Sequence, residues 1–316
     1  MNLFFIRSAK HVFFLLGFMS VWVHVEGAPR KSESSSIHVA SFNIRYLNTR
    51  DKGELHWDVR KERVMTAIRH LEADILGLQE AFFSQIRDMQ PALVDYHRVG
   101  VGRRDGKEEG ETCSICFRKE RFELMDHGTF WLSDTPELPG SVTWGNKVVR
   151  ICTWARLMDR RSEESLYVFN THFDHVSQQS REQAARLVAQ RIAGREHEDS
   201  PVMLLGDLNA AENNPAVRYL KGEAVVLDGG EAGPETYSDP LVDTFRVHHP
   251  DADEVRTGHG FRGETAGAKI DYVMVSSDVT VLDAEIDRTR FDGMLPSDHY
   301  PVRATVTLRP NPFAKE

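Results

Sequence analysis

The chain has 316 residues, of which 41% are hydrophobic and 28% are charged, and its formal net charge is −9. These proportions are typical of a globular protein and exclude a long disordered, repetitive or low-complexity chain. The acidic balance disfavours a protein that wraps duplex nucleic acid without reading its sequence, because cationic contacts to phosphates supply most of that affinity.

The N-terminal segment has the composition of a secretory signal peptide. Arg7 and Lys10 precede an apolar run over residues 12–23, which is followed by the small residues Gly27 and Ala28. We expect cleavage near these small residues and a secreted or periplasmic mature protein with no stable membrane insertion afterwards. The alternative is a membrane anchor, but the run is shorter than the roughly 18 to 20 apolar residues that a spanning helix needs.

The rest of the chain alternates short apolar runs typical of strands with two amphipathic helical stretches. The helices are predicted over residues 58–73 and 177–192, where apolar side chains recur with helical spacing. Strands are predicted at residues 37–44, 74–79, 112–118, 123–132, 148–158, 165–173, 201–208, 269–276, 279–286 and 301–308. Because late strands follow each other without intervening helices, the pattern favours two packed sheets with outer helices over one doubly wound parallel sheet.

No stretch inside the chain resembles a linker between domains. We therefore predict four segments: a signal peptide at residues 1–27, a flexible lead-in at 28–36, one domain at 37–309 and a C-terminal tail at 310–316.

The chain has only 3 cysteines, Cys113, Cys116 and Cys152, so at least one thiol must be free even in an exported protein. Cys113 and Cys116 stand three residues apart in a predicted strand. Their side chains then face opposite sides of the sheet and cannot form a disulfide bond. We expect all the cysteines to be small buried hydrophobic residues, and zinc is disfavoured because no dense Cys/His cluster is present.

Several of the predicted strands end in acid, amide or imidazole side chains. In residues 201–209, for example, an apolar run is followed by Asp207 and Asn209, which would emerge on one face because alternate strand residues share a face. Singly, such residues are often turn formers, helix caps or structural histidines. Their recurrence at strand ends predicts one polar site, formed by Asn43, Arg45, Glu80, His172, Asp174, His175, Asp207, Asn209, Asp271, Asp298 and His299.

These stretches resemble the metal-dependent endonuclease/exonuclease/phosphatase superfamily, which includes pancreatic deoxyribonuclease, abasic-site endonucleases, deadenylases, sphingomyelinases and inositol polyphosphate phosphatases. FNIRY, LQE, NTHFDH, GDLN, IDYV and SDHYPV occur in the order of that family between Phe42 and Val302. The resemblance implies an α/β four-layer sandwich, in which two mainly antiparallel sheets are flanked by helices and the site lies at one rim. It makes residues 37–309 the catalytic domain.

The resemblance also implies a divalent cation, Mg²⁺ or Mn²⁺, held by Asn43, Glu80 and Asp298, with Asp207 as a further ligand. Oxygen ligands suit such a hard cation, which would neutralise a phosphoryl oxygen. Asp207 would also orient or deprotonate the attacking water.

Further catalytic roles follow from the same resemblance. Asn209 would donate a hydrogen bond to the phosphate or the water, and Asp271 would hold His299 as an imidazolium, because an opposite charge raises a histidine pKa. His172 would stabilise or protonate the leaving group with Glu111 as its carboxylate partner. The alternative for Glu111 is that it is one more acid in the charged loop RRDGKEEGE.

Other residues are predicted to choose the substrate by phosphate contacts or stacking, with ordinary core or surface roles as the alternative. They are Arg45, Trp144, Arg150, His175, His259 and Phe261.

Differences from individual branches of the superfamily reduce the number of candidate substrate classes. In the segment KIDYV, Ile270 and Tyr272 stand where inositol polyphosphate phosphatases share a cysteine and an arginine, which disfavours that branch. No exposed aromatic hairpin of the kind expected for membrane docking by sphingomyelinases is evident. THFDHV, GHGF, GRRDG and FWLSDTP resemble a group of secreted bacterial hydrolases. We expect an exported, monomeric, metal-dependent phosphoesterase that cleaves phosphodiesters of nucleic acid or nucleotide-like compounds. The alternatives are a phosphomonoesterase or phospholipid-type hydrolase, and an exported binding protein without turnover.

Overall fold

Two β-sheets of six strands each form the centre of the computed structural model, which describes residues 36–227 and 233–308. These residues belong to one compact unit, Ser34–Glu316, and the other unit, Met1–Glu33, lies outside the described residues. The predicted signal peptide and C-terminal tail likewise lie outside the described residues, as does the predicted lead-in except for Ser36.

The first sheet has the strand order β11-β12-β1-β2-β4-β3. Its strands are β1 (Ile37–Asn43), β2 (Ile75–Ala81), β3 (Tyr96–Val99), β4 (Thr112–Arg118), β11 (Thr280–Ile286) and β12 (Val302–Thr307). Only β1 and β2 run parallel, and the other neighbours are antiparallel.

The second sheet has the order β5-β6-β7-β8-β10-β9. It consists of β5 (Phe122–Trp131), β6 (Ile151–Asp159), β7 (Glu164–His172), β8 (Val202–Asp207), β9 (Leu241–Asp243) and β10 (Asp271–Ser276). Here β7 and β8 form the one parallel pair. All the predicted strands are present, and β3 and β9 are additional to them.

Both predicted helices are present, as α1 (Trp57–His70) and α3 (Gln178–Ala193). Helix α3 is capped by Ser177, whose side chain accepts a hydrogen bond from the Ser180 amide, and its end is marked by Gly194. Three shorter helices are additional to the prediction: α2 (Phe83–Asp88), α4 (Pro215–Leu220) and α5 (Thr244–His248). Short 3₁₀ turns occur at Gly53–Leu55 and Gln90–Ala92.

Three apolar cores separate four layers. The central core lies between the sheets and contains inward-facing residues of both, such as Val39 and Leu205. Helix α1 covers the outer face of the first sheet, where Ile68 packs with Phe42, and α3 and α4 cover the outer face of the second sheet. The domain is thus a four-layer α/β sandwich with mainly antiparallel sheets, as predicted.

The buried thiols agree with a further expectation. Cys113, Cys116 and Cys152 are free and buried. Within residues 36–227 and 233–308, none of the helices combines the length and apolarity required to cross a bilayer.

The two parallel pairs bring polar strand ends to one rim of the sandwich. Strand β1 ends at Asn43, and β7 and β8 end in register at His172 and Asp207. Asp271 starts β10 directly opposite Asp207, because β10 is antiparallel to β8. The segment before β12 reaches the same rim because β12 runs antiparallel to β1.

Gly206 allows β8 to approach β7 immediately before Asp207. A Cβ atom built on Gly206, whose φ is 153°, would lie 2.2 Å from the carbonyl oxygen of Thr171. We expect Gly206→Ala to lower the free energy of unfolding by at least about 3 kcal/mol, because the strands must separate. Denaturant unfolding measures this loss.

The matched control is Gly293→Ala. Gly293 also has a positive φ, 76°, but nothing lies within 4 Å of a Cβ built there. This variant therefore carries only the conformational cost of the left-handed region, about 1 to 2 kcal/mol. Equal losses in the two variants would refute the steric explanation.

Candidate active site

Asn43 connects the two sheets at the polar rim. Its side chain is fully buried, and its Nδ2 donates hydrogen bonds to Glu80 Oε1 at 3.2 Å and to Asp207 Oδ2 at 3.0 Å. Its Oδ1 accepts a hydrogen bond from the Arg45 amide at 3.0 Å. One amide group therefore places a carboxylate of the first sheet beside a carboxylate of the second.

Glu80 is directed to the rim by an irregularity in its own strand. The β2–β4 register shifts between Gln79 and Ala81, and Glu80 has a φ of 65°. Bulges re-aim side chains, and non-glycine residues with positive φ concentrate at functional sites. Glu80 Oε2 accepts a hydrogen bond from the Tyr46 amide at 2.8 Å, which fixes the carboxylate.

Asp298 lies in the loop before β12 and interacts with the same region. Its carboxylate is 3.4 Å from Arg45 Nη1 and 3.3 Å from Ser297 Oγ. Burial raises the pKa of Asp298, and the negative charge of Glu80 acts in the same direction, while His299 and Arg45 oppose it. Glu80 and Asp298 are thus two interacting acids whose mutual repulsion a bound cation would relieve.

The predicted cation ligands differ in how well they fit that role. Glu80 and Asp298 offer hard carboxylate oxygens, which Mg²⁺ and Mn²⁺ prefer. Asn43 instead directs its amide nitrogen to the carboxylates, while its oxygen is engaged by the Arg45 amide. This differs from the predicted ligand role, because a ligand must present its oxygen, and it makes Asn43 a residue that orients Glu80 and Asp207.

His299 and Asp271 form a hydrogen-bonded pair next to Asp207. His299 Nδ1 lies 2.8 Å from Asp271 Oδ2 and 3.9 Å from Asp207 Oδ2. Burial alone would lower the pKa of His299, but the charges of Asp271 and Asp207 and the hydrogen bond to Asp271 raise it well above its usual value. The predicted contact between Asp271 and His299 is present, and the neighbouring carboxylates favour the protonated form of His299.

These three residues also satisfy the distance criteria of a cation site, since one possible ligand atom from each lies within 4.8 Å of the others. The hydrogen bond at 2.8 Å argues for a different interpretation. A proton on His299 Nδ1 occupies the position that a metal ion would take. The three residues are therefore better described as an acid–base group.

Asp207 is the residue that joins the two halves of the rim. Its side chain is nearly fully buried, and its Oδ1 accepts a hydrogen bond from the Asn209 amide at 2.9 Å. Burial, together with the charge of Asp271, raises the pKa of Asp207 to about 7. A carboxylate with this pKa is basic enough to accept a proton from water at neutral pH.

His172 faces Asp207 from the end of β7. Its Nε2 lies 3.4 Å from Asp207 Oδ2. Burial lowers the pKa of His172 well below its usual value, and the positive charges of Arg150 and Arg103 add to this effect. His172 is therefore neutral at pH 7, which favours the predicted hydrogen bond to a leaving group over protonation by an imidazolium.

The structure gives Glu111 a different partner from the one predicted. Arg103 Nη1 and Nη2 each lie 2.7 Å from a Glu111 carboxylate oxygen, and the carboxylate recorded beside His172 is that of Asp207. A planar guanidinium can donate two parallel hydrogen bonds to one carboxylate, which a neutral imidazole cannot do. The predicted pairing of Glu111 with His172 is thus replaced by a pairing with Arg103.

The candidate substrate residues do not all lie where a substrate can reach them. Trp144 is only 8% exposed, packs in the outer core of the second sheet and donates its indole N–H to Asp134. His259 is fully buried, with its ring 4.0 Å from the ring of Tyr300. Stacking roles for these two residues are wrong, because neither offers an open ring face.

The GHGF segment has a positioning role instead. The amides of His259 and Gly260 donate to the carbonyl oxygen of Asp298 at 2.8 and 3.0 Å. They hold the loop that carries Asp298 and His299 against the rim. Phe261, which follows, is partly exposed and has a φ of 63°.

The remaining candidates near the acids of the rim are Arg45, Arg150, His175 and Asn209. Arg45 is clamped by Asp51, with both hydrogen bonds at 3.1 Å, and also faces Asp298. Arg150 is buried and its Nη2 lies 3.1 Å from Nδ1 of the exposed His175. Asn209 Nδ2 donates to the Phe173 carbonyl at 3.0 Å, which leaves its second amide hydrogen available.

Two buried polar residues that position the site are absent from the predicted set. Asn170 Nδ2 donates to the carbonyl oxygens of Leu78 and Ser114, at 3.0 and 2.8 Å, and so links the sheets below the rim. Arg60 donates to the carbonyl oxygens of Ile44 and Pro296, which joins the loops after β1 and before β12. Their spacing in the sequence could have identified both residues, because Asn170 precedes His172 by two residues in a predicted strand and Arg60 lies on the apolar stripe of α1.

Comparisons with known proteins identify the family and support the fold. A model of the Endonuclease/Exonuclease/phosphatase family matches residues 40–299. The crystal structure of an endonuclease/exonuclease/phosphatase from Bacteroides vulgatus is 31% identical, with a TM-score of 0.76 over 87% of this chain and 100% of that one. A mannosyl-6-phosphatase of Bacteroides thetaiotaomicron is 28% identical, with a TM-score of 0.73 over 86% and 99%.

Curated relatives match over shorter segments. Protein angel of Drosophila melanogaster is 26% identical over 215 residues, which are 60% of this chain and 57% of that protein. The first curated relatives are matched over only 32% and 66% of their own length. The match of the family model over most of the domain shows that this chain belongs to the endonuclease/exonuclease/phosphatase family.

Proposed function

We propose that the protein is an exported phosphoesterase that depends on a divalent cation and uses Asp207 to activate water. The observation that carries the proposal is the position of Asp207, whose Oδ2 lies 3.0 Å from Asn43 Nδ2 and 3.4 Å from His172 Nε2. Glu80 shares the amide of Asn43 with it, and the His299–Asp271 pair adjoins its other side.

Glu80 and Asp298 would hold Mg²⁺ or Mn²⁺, with Asp207 beside them. When bound, the cation supplies Lewis-acid neutralisation of a phosphoryl oxygen. The interaction of the two acids supports this proposal, since the charge of Glu80 raises the pKa of Asp298 and a cation would relieve that repulsion.

The residues of the chain supply the remaining chemistry. Asp207 accepts the proton of the attacking water. Hydrogen bonds from the Asn43 side chain and from the Asn209 backbone amide orient the Asp207 carboxylate. His299, kept charged by Asp271, donates a hydrogen bond to a phosphoryl oxygen as negative charge develops there. His172, which is neutral, donates its N–H toward the leaving group.

Two substrate classes remain candidates. Phosphodiesters of nucleic acid or nucleotide-like compounds are the first expectation from the sequence. Phosphate monoesters are the second, and the similarity to a mannosyl-6-phosphatase supports them. The retained acids and histidines give no support to a binding protein without turnover.

A panel of matched phosphate monoesters and diesters, with RNA and single-stranded DNA, tests this proposal in the presence of Mg²⁺ or Mn²⁺. We expect cation-dependent release of phosphate or of the alcohol from at least one class. Absence of hydrolysis across the panel would refute the function. Export is tested by the N-terminus of the mature protein, which we expect to follow Gly27 or Ala28.

A further inference from the structure

A small notch next to His172 contains a buried arginine, Arg150, two of whose donor nitrogens lack a hydrogen-bond partner among the described residues. The notch has a cavity volume of about 10 Å³ and is lined by Arg103, Glu111, Arg150 and His172. That volume corresponds to one water-sized atom. It therefore admits a single oxygen atom and excludes a carbon substituent attached to it.

Arg150 is the unusual member of this group. Its side chain is only 4% exposed, and its Nε and Nη1 have no hydrogen-bond partner among the described residues. Asp174 Oδ2 lies 3.8 Å from Nε, which makes an ion pair but is beyond hydrogen-bond distance. Buried guanidinium donors that lack a partner are costly, so they indicate an anionic group that the site is built to receive.

Arg103 does not compensate for Arg150 but holds the other side of the notch. Its guanidinium is neutralised by the two-point contact with Glu111. Val149 and Ile151 supply apolar wall, which strengthens electrostatic attraction inside the notch. The notch adjoins the reacting group, because His172 lines it and also lies 3.4 Å from Asp207.

The chemistry of phosphate esters makes such a notch selective. A phosphate monoester carries close to two negative charges at neutral pH and presents three terminal oxygens. A diester carries one charge and presents two, and its third position is an oxygen bonded to carbon. The cation site and His299 can each take one terminal oxygen, so a third oxygen-sized cationic position is useful only for a monoester.

We propose that this notch binds the third terminal oxygen of a phosphate monoester, and that Arg150 is the residue by which the enzyme prefers monoesters to diesters. The inference rests on the proposed phosphoesterase function and deepens it by assigning the substrate class. Arg150 Nη1 donates to the bound oxygen, while Asp174 and His175 keep the guanidinium in place.

The test compares p-nitrophenyl phosphate with bis(p-nitrophenyl) phosphate, which share a leaving group, in the wild type and in Arg150→Gln. We expect kcat/KM for the monoester to fall about 10- to 100-fold, as for the loss of a charged hydrogen bond, and that for the diester to fall much less. The preference for the monoester, as a ratio of the two values, then falls at least about tenfold. Inhibition by inorganic phosphate weakens by a similar factor.

Arg104→Gln is the matched control, because it removes the same charge from the loop that carries Arg103, and Arg104 pairs with Glu109 at the surface. Its monoester-to-diester ratio should equal that of the wild type. If Arg150→Gln does not fold, Arg150→Lys replaces it, since lysine keeps the charge but loses the planar fork. An intermediate fall in the ratio is then expected.

Two outcomes overturn the inference while leaving the proposed function intact. One is an equal loss of both activities in Arg150→Gln or Arg150→Lys, which would make Arg150 a structural residue or one that acts on both classes. The other is an unchanged ratio. Absence of hydrolysis of either ester by the wild type with Mg²⁺ and Mn²⁺ would instead refute the proposed function itself.

Discussion

Asp207→Asn is expected to lower kcat by about a thousandfold or more, because general-base catalysis contributes up to about 10⁴-fold and the substitution removes the base. The protein should remain folded. An amide keeps the shape of the carboxylate that it replaces, and loss of the charge relieves the repulsion from Asp271 that raises the Asp207 pKa. We therefore expect the free energy of unfolding to change by no more than about 1 kcal/mol, the net worth of one hydrogen bond. Steady-state kinetics and denaturant unfolding measure the two effects.

Asp159→Asn is the control, for which we expect a loss of stability without a loss of activity. Asp159 is fully buried at the other end of β6 and pairs with Arg121, whose Nη2 lies 2.9 Å from its Oδ2. Its substitution removes a partner of a buried arginine, which costs about 3 kcal/mol or more. The kinetic constants should not change. Retained activity in Asp207→Asn would show that another group activates the water.

The architecture was predictable because most of its elements carry a strong local pattern. The apolar run of β8 and the stripe of α1 identify buried elements without knowledge of their neighbours. By contrast, β3 spans only Tyr96–Val99 and β9 only Leu241–Asp243, at sheet edges. Elements this short have too few residues for a periodicity to be recognised.

The rim of the site was predictable for a related reason. Parallel strands place their carboxyl ends on the same side, so the polar residues that follow β1, β2, β7 and β8 had to meet if the strands were neighbours. The partner of each polar group, however, does not follow from a local pattern. The contact of Glu111 with Arg103 and the direction of the Asn43 amide depend on long-range packing, as do the burial of Trp144 and of His259.

Removal of divalent cations is expected to stop turnover. EDTA should abolish hydrolysis and added Mg²⁺ or Mn²⁺ should restore it, because the acids that Asn43 brings together, Glu80 and Asp207, would repel an anionic phosphate unless a cation neutralises it. Full activity in the presence of the chelator would exclude a role for the cation.

Glu80→Gln tests whether the cation binds at Glu80. Mg²⁺ at 100 times its dissociation constant should stabilise the wild type by about 2.7 kcal/mol, because it binds the folded state alone. This stabilisation should be largely lost in Glu80→Gln, since an amide supplies no charge, and kcat should fall together with it. Glu62→Gln, which removes an exposed acid of α1, should keep the full stabilisation. A Mg²⁺-dependent shift of the unfolding transition that is the same in both variants would place the cation away from Glu80. Because Asn43 hydrogen-bonds both Glu80 and Asp207, a cation bound at Glu80 would lie next to the base that activates the water.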